Sequence, residues 1–227
     1  MSFINIIGAV LAFSLLVLVH ELGHFTLAKL NGVAVEEFSI GMGPKIWGFK
    51  KGETEYVIKA LPIGGYIKML GEEGEETYDE RAFTNKSSLR KLSIVAAGPF
   101  MNLVLAIVLF GIISFNKGFV VPIVGDVVEN QPAYVAGLQK GDKIIEVNNK
   151  KISTWDDFIT QIYKNEGNIL NINYERDNKI SSVKVVPVKN EEENRYVIGV
   201  APTLMENPSL SESISHGFSE AISLIKQ

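Results

Sequence analysis

The stretch Val19-His20-Glu21-Leu22-Gly23-His24-Phe25 decides the reading of this chain, because it stands inside an apolar run and not on an ordinary amphipathic helix. On a helix, His20 and His24 project from one face, four residues apart, where both imidazoles can reach a single zinc ion. Glu21 stands one position round, where a carboxylate can take a proton from a metal-held water. Burying two imidazoles and a carboxylate at membrane depth is costly, so such side chains are functional there by default. The bland alternative makes His20 and His24 satisfied core histidines with Glu21 paired to a lysine, and it loses ground as the rest of the chain is read.

Outward from the motif, no charge interrupts Phe3 to Val19, and the apolar run continues to Phe25 and Leu27. A span over about 3–28 follows from that length. A cleaved signal peptide is the competing reading, but Met1 to Asn5 holds no Lys or Arg and no small-residue cleavage site follows. A second uncharged run gives a span over 92–115. Lys29, Lys45, Lys50 and Lys51 follow the first span, Arg90 and Lys91 precede the second, and Lys117 is nearly alone after it. This asymmetry makes loop 31–91 cytoplasmic and puts the N-terminus and everything beyond about 116 outside.

Composition narrows the chemistry. The 227 residues are 46% hydrophobic with a net charge of −4, which leaves no basic face for nucleic acid. Cysteine is absent, so disulfides and thiolate ligands are excluded, and any metal must be held by nitrogen and oxygen.

In the loop, Glu37 to Pro44 and Tyr56 to Pro62 mix β-formers with Gly and Pro, as short hairpin strands do. Gly64 and Gly65 mark a bulge or a close approach by another backbone, although a plain turn is the simpler reading of the pair alone. The acidic stretch 72–80 reads as a solvated loop. From Gly118 to about Pro202 the pattern becomes that of a small soluble β-rich domain, with strands expected at 120–128, 143–147, 169–174, 183–188 and 196–200 and short helices at 133–137 and after Thr154. Thr154 and Asp157 form one capping-box pattern, Ser209 and Glu212 another. The second opens a helix in the segment 205–227 that stops in mid-pattern, so the chain looks cut.

These motifs together resemble a known family. His20-Glu21-Leu22-Gly23-His24-Phe25, Phe38-Ser39-Ile40-Gly41, Leu61-Pro62-Ile63-Gly64-Gly65-Tyr66 and Ala96-Ala97-Gly98-Pro99-Phe100-Met101-Asn102 resemble the site-2 proteases, in order. Pro132 to Ile144 resembles a bacterial PDZ domain, and the arrangement suits the regulator-of-sigma-E protease branch. The resemblance implies a membrane α-helical core, residues 1–116, of two transmembrane helices with a membrane-associated β-loop, followed by an α+β PDZ domain at 117–204. It implies a bacterial plasma-membrane zinc metalloendopeptidase that cuts transmembrane segments of single-span proteins, such as anti-sigma factors or signal-peptide remnants. Zn2+ would be held by His20 and His24, with Glu21 as general base on the metal-held water. Gly64 and Gly65 would offer a backbone edge to an unwound substrate, and Asn102 would clamp substrate backbone or merely join two helices. The PDZ domain would filter by size or hold a trimmed peptide end.

One departure stands out. The family's third ligand is an Asp in a Leu-Asp-Gly segment of a later span, and no such segment occurs here, so the 227 residues by themselves are expected to lack peptidase activity. The alternative function is a membrane-tethered PDZ binding module without catalysis. An ordinary soluble metalloprotease founders on the uncharged flanks of the motif.

Overall fold

The computed structural model describes residues 2–72, 74, 77–191 and 194–226, grouped in two units, Met1–Ala106 and Ile107–Gln227. In the first unit, helix α1 (Phe3–Leu30) starts where the Ser2 hydroxyl accepts the Asn5 amide, and it stops where the Asn31 side chain returns to the Leu27 carbonyl at 2.8 Å. It is apolar on every side and buries only Gly23 and Ala28, leaving Phe3, Leu11, Phe13 and Leu15 bare. Helix α2 (Ser88–Lys117) starts in the first unit and ends in the second. By length and composition, both helices are long and apolar enough to cross a hydrocarbon core. Each outruns its expected span because polar residues complete the terminal turns.

Between them lie β1 (Val35–Lys51) and β2 (Thr54–Met69), one long antiparallel hairpin where short strands were expected. Residues 37–40 pair with 65–68 on one side and with 55–58 on the other, and 55–58 pair in turn with 47–50. The hairpin thus folds back on itself into a four-ply sheet. Gly64 and Gly65 are no turn. They lie inside β2, where a Cβ on Gly65 would sit 2.6 Å from the Ser39 carbonyl oxygen, so the neighbouring strand's approach demands a glycine.

The hairpin is tied to α1 at two levels. Near its base, Ala28, Val33, Val35, Met69 and Ile94 form a buried cluster, and the Phe25 and Phe38 rings meet at 5.1 Å. Farther along, the Ser14 hydroxyl lies 2.5 Å from the Pro62 carbonyl. Ser14 precedes His20 by six residues, about 9 Å of helix, so the hairpin runs alongside α1 past the motif.

The second unit holds β3 (Phe119–Val127), α3 (Pro132–Val135), β4 (Lys143–Val147), β5 (Lys150–Lys151), α4 (Trp155–Lys164), β6 (Leu170–Arg176) and β7 (Lys179–Val185), then β8 (Val188–Asn190), β9 (Arg195–Val197), β10 (Val200–Met205) and α5 (Leu210–Lys226). The main sheet runs β10-β3-β4-β6-β7, with β5 on β4, while β8 and β9 pair separately. Pro187 lacks the amide a ladder needs, and the chain leaves β7 before it. The strand expected at 196–200 is interrupted at Ile198 and Gly199, where Gly199 has φ +79° and the chain passes from β9 to β10.

Helix α4 buries Trp155, Phe158 and Ile162 against Ile144, Val147, Leu170 and Ile172. Its start is fixed by the Thr154–Asp157 capping box. Asp142, wholly buried, takes two hydrogen bonds from Arg176 at 2.6 and 2.7 Å and clasps the loop before β4 to the end of β6. The sequence reading drew its boundary at the end of α2, whereas residues 107–117 group with the second unit. Helix α5 holds them there: the Ser114 hydroxyl meets His216 Nδ1 at 3.0 Å.

Candidate metal centre

Helix geometry alone puts His20 and His24 on one face of α1, and the structure brings their Nε2 atoms to 3.1 Å. Two nitrogens about 2.0–2.1 Å from one tetrahedral ion stand about 3.3 Å apart, so the pair fits half of a zinc coordination sphere. The distance makes its own demand. Two bare lone pairs cannot face each other so closely unless a proton or a cation lies between them.

The outer nitrogens are engaged by α2. His24 Nδ1 lies 2.7 Å from the Ile94 carbonyl oxygen, and the Asn102 side-chain amide lies 3.2 Å from His20 Nδ1. A carbonyl can only accept, so His24 Nδ1 donates and the neutral ring's Nε2 is left bare. Between these two contacts sits Gly98. A Cβ there would fall 2.5 Å from His24 Nε2 and 2.6 Å from His20 Nε2, so the missing side chain is the space beside the two nitrogens. One turn away, a Cβ on Gly23 would fall 2.8 Å from both the Ala97 carbonyl carbon and Met101 Cγ, which is how closely α1 and α2 approach.

Glu21 is half-buried and faces the Ile67 backbone amide of β2. Gly64 and Gly65 are buried in the same strand, and a Cβ on Gly64 would reach Val17 at 3.6 Å. The structure therefore gathers His20, Glu21, His24 and Asn102 in one place and lays the Gly64–Ile67 strand along the same helix. Asn102 faces the His20 ring, a contact that spacing could not reveal. The sequence reading did not single out Gly98, the Ile94 carbonyl or the Ile67 amide. A glycine followed by proline inside an apolar helix was the available signal for the first. The other two are backbone atoms and leave no trace in residue type. Among the described residues no group of three or more His, Cys, Asp or Glu is placed to hold a metal.

The family model of peptidase family M50 matches residues 8–227. The chain belongs to peptidase family M50, the site-2 protease family. Among its relatives, a protein of Clostridium acetobutylicum is 49% identical over 226 residues, covering 100% of this chain and 66% of its own length. A Clostridium perfringens protein is 45% identical over 98% of this chain and 66% of its own length. One from Helicobacter pylori is 32% identical over 97% and 67%. Each bears the printed name "Putative zinc metalloprotease". This chain thus spans just under two thirds of the length of the first two. Among solved structures, the PDZ domain of the SdrC-like protein from Listeria monocytogenes matches 39% of this chain and 90% of that domain, at 21% identity and TM-score 0.33.

Proposed function

We propose that this chain carries the general base and two metal ligands of an intramembrane zinc metalloendopeptidase that cleaves transmembrane segments of single-span membrane proteins. The observation that carries the reading is the pair of Nε2 atoms 3.1 Å apart under a side-chain-free turn of α2. His20 and His24 would hold the ion, and a bound zinc supplies a Lewis acid for the scissile carbonyl. By the family pattern the third ligand would be an aspartate in a Leu-Asp-Gly segment, which these 227 residues do not contain. Glu21 accepts the proton of the attacking water on its carboxylate and passes it to the leaving amide nitrogen. The stretch 65–68 pairs with β1 on one side only among the described pairings, and Ile67 lies beside Glu21. An unwound substrate would add as a strand there, because a helix hides the carbonyls that must be attacked.

In this reading α1 and α2 span a bacterial plasma membrane, the hairpin lies on the cytoplasmic side and the sheet unit lies outside. The sheet unit acts as a PDZ domain. Between α4 and the edge strand β10 it has a groove of about 220 Å³ lined by Ile159, Tyr163, Tyr196, Gly199 and Val200, suited to a trimmed peptide end. The regulator-of-sigma-E branch, with anti-sigma factors or signal-peptide remnants as substrates, is the assignment this layout favours.

The test is Glu21→Gln in the whole protein, with cleavage of a single-span reporter as readout. Loss of turnover by about 10²–10⁴-fold supports the general base, with reporter binding intact. Unchanged cleavage, or none in the unsubstituted protein, would leave the membrane-tethered binding module as the better reading.

A further inference from the structure

Helix α2 holds both imidazoles at their outer nitrogens, through residues 94 and 102, eight positions apart on one face with Gly98 midway. The two holds differ in kind. Ile94 offers a carbonyl, which only accepts, and so it commits His24 to one tautomer. Asn102 offers an amide, which presents a donor at one end and an acceptor at the other, exchanged by a half-turn. The end of that amide turned away from His20, Oδ1, is buried and has no partner among the described residues, so nothing else fixes which end faces the ring.

Each orientation has a definite consequence. With the NH2 toward His20, Nδ1 is bare and the proton sits on Nε2, where it can donate to His24 Nε2 at 3.1 Å. A continuous chain of hydrogen bonds then runs from Asn102 through both rings to Ile94. With the oxygen toward His20, the proton sits on Nδ1, and both Nε2 lone pairs converge on the space opposite Gly98. Only the second arrangement can ligate a metal.

We propose that Asn102 is the positioning residue of His20, and that the turning of its amide selects between a ring bonded to His24 and a ring free to bind a divalent cation. This rests on the metal reading above and deepens it, giving Asn102 a role on the ligand ring in place of the substrate. Ile94 acts through a backbone atom that no side-chain substitution removes, so Asn102 is the adjustable half of the pair.

The experiment compares the unsubstituted protein with Asn102→Leu and Asn102→Asp, ¹⁵N-labelled at histidine in lipid nanodiscs. Cobalt(II) affinity is measured on each, together with the ring-nitrogen signals of the metal-free protein. Leu, of similar size and without polar atoms, should weaken cobalt binding by about 10–100-fold and turn one His20 tautomer into averaged signals of two. Asp, which accepts only, should hold the Nδ1 proton and restore affinity to the original level or above it. A protonated His24 Nδ1 signal retained in both variants shows that the helix pair is intact, since that nitrogen answers to the Ile94 carbonyl alone.

Original affinity and unchanged His20 signals in both variants would overturn the proposal. So would a loss of turnover alone, which is what a substrate clamp predicts. If cobalt binding does not depend on His20 and His24 at all, the metal reading falls, and the ring signals still decide the role of Asn102.

Discussion

In the helix pair, the closest approaches are made where side chains are missing: Gly23 lies on the Ala97 carbonyl and Gly98 lies over both imidazoles. The core of the sheet unit is instead filled by large side chains, with Trp155 and Phe158 of α4 set among Ile144, Val147, Leu170 and Ile172. With α1 and α2 placed in a membrane, as proposed above, the contrast follows from the two surroundings. An apolar surface facing lipid gains little by leaving it, so membrane helices associate through backbone proximity and shape. A surface facing water gains about 25 cal/mol for each Å² of apolar area it hides, so the sheet unit is organised by bulk. The price of the first solution is tolerance: the helix pair has no room for a methyl group beside the two imidazoles.

The sharpest way to break this comparison is Gly98→Ala. The added methyl must displace either α2 or the ligand nitrogens, so metal affinity should fall by at least about 100-fold, the upper end of losses seen when only a ligand's supporting partner is removed. Thermal unfolding of the sheet unit, followed by Trp155 fluorescence with Trp47 replaced, should not move. Retention of full metal affinity would show that the two helices are freer than their contacts imply.

The converse substitution is Phe158→Ala, which empties a fully buried site. It should cost about 3–5 kcal/mol, read as a loss of hydrogen-exchange protection of about two to four decades in β6 and α4. Metal affinity should stay as it was. A joint loss would mean that the two regions are not separable in stability.

The smallest effect tests whether polar groups in the hairpin follow the ordinary rules of the sheet unit. Burial alone would push the Glu37 carboxyl up, but hydrogen bonds from the Tyr66 hydroxyl and the Lys59 ammonium outweigh it and hold the group below its usual range. A lowered folded value gives stability that is fully present above about pH 4.3 and is lost as pH falls through the folded value. Glu37→Gln should therefore lower the hairpin's unfolding midpoint slightly at pH 7 and progressively less below pH 4. Trp47 fluorescence in a Trp155→Phe background reports it. A deficit of equal size at both pH values would mean that packing around residue 37, and not its charge, was lost.

Much of the fold was legible where one element's own chemistry sets its form. The uncharged runs marked α1 and α2, the alternation of Leu170, Ile172 and Tyr174 with polar neighbours marked β6, and the Thr154–Asp157 capping box marked the start of α4. The hairpin was under-read because glycine and proline at 41–44 and 62–65 look like strand ends. The strands bend through those positions, held by pairing on both sides of residues 37–40. Cross-strand hydrogen bonds outweigh local punctuation once a third ply is present.

The sequence by itself determined what one helix can arrange: two imidazoles four residues apart, a carboxylate beside the first, and apolar flanks long enough to cross a hydrocarbon core. Covalent geometry and the 3.6-residue period fix those relations wherever the helix lies. Only the tertiary structure decided that Gly98 stands open above both nitrogens, that the Ile94 carbonyl commits His24 to one tautomer, and that the amide of Asn102 meets His20. These are relations between residues some seventy or eighty positions apart, some through backbone atoms common to every residue type, and packing alone brings them into register.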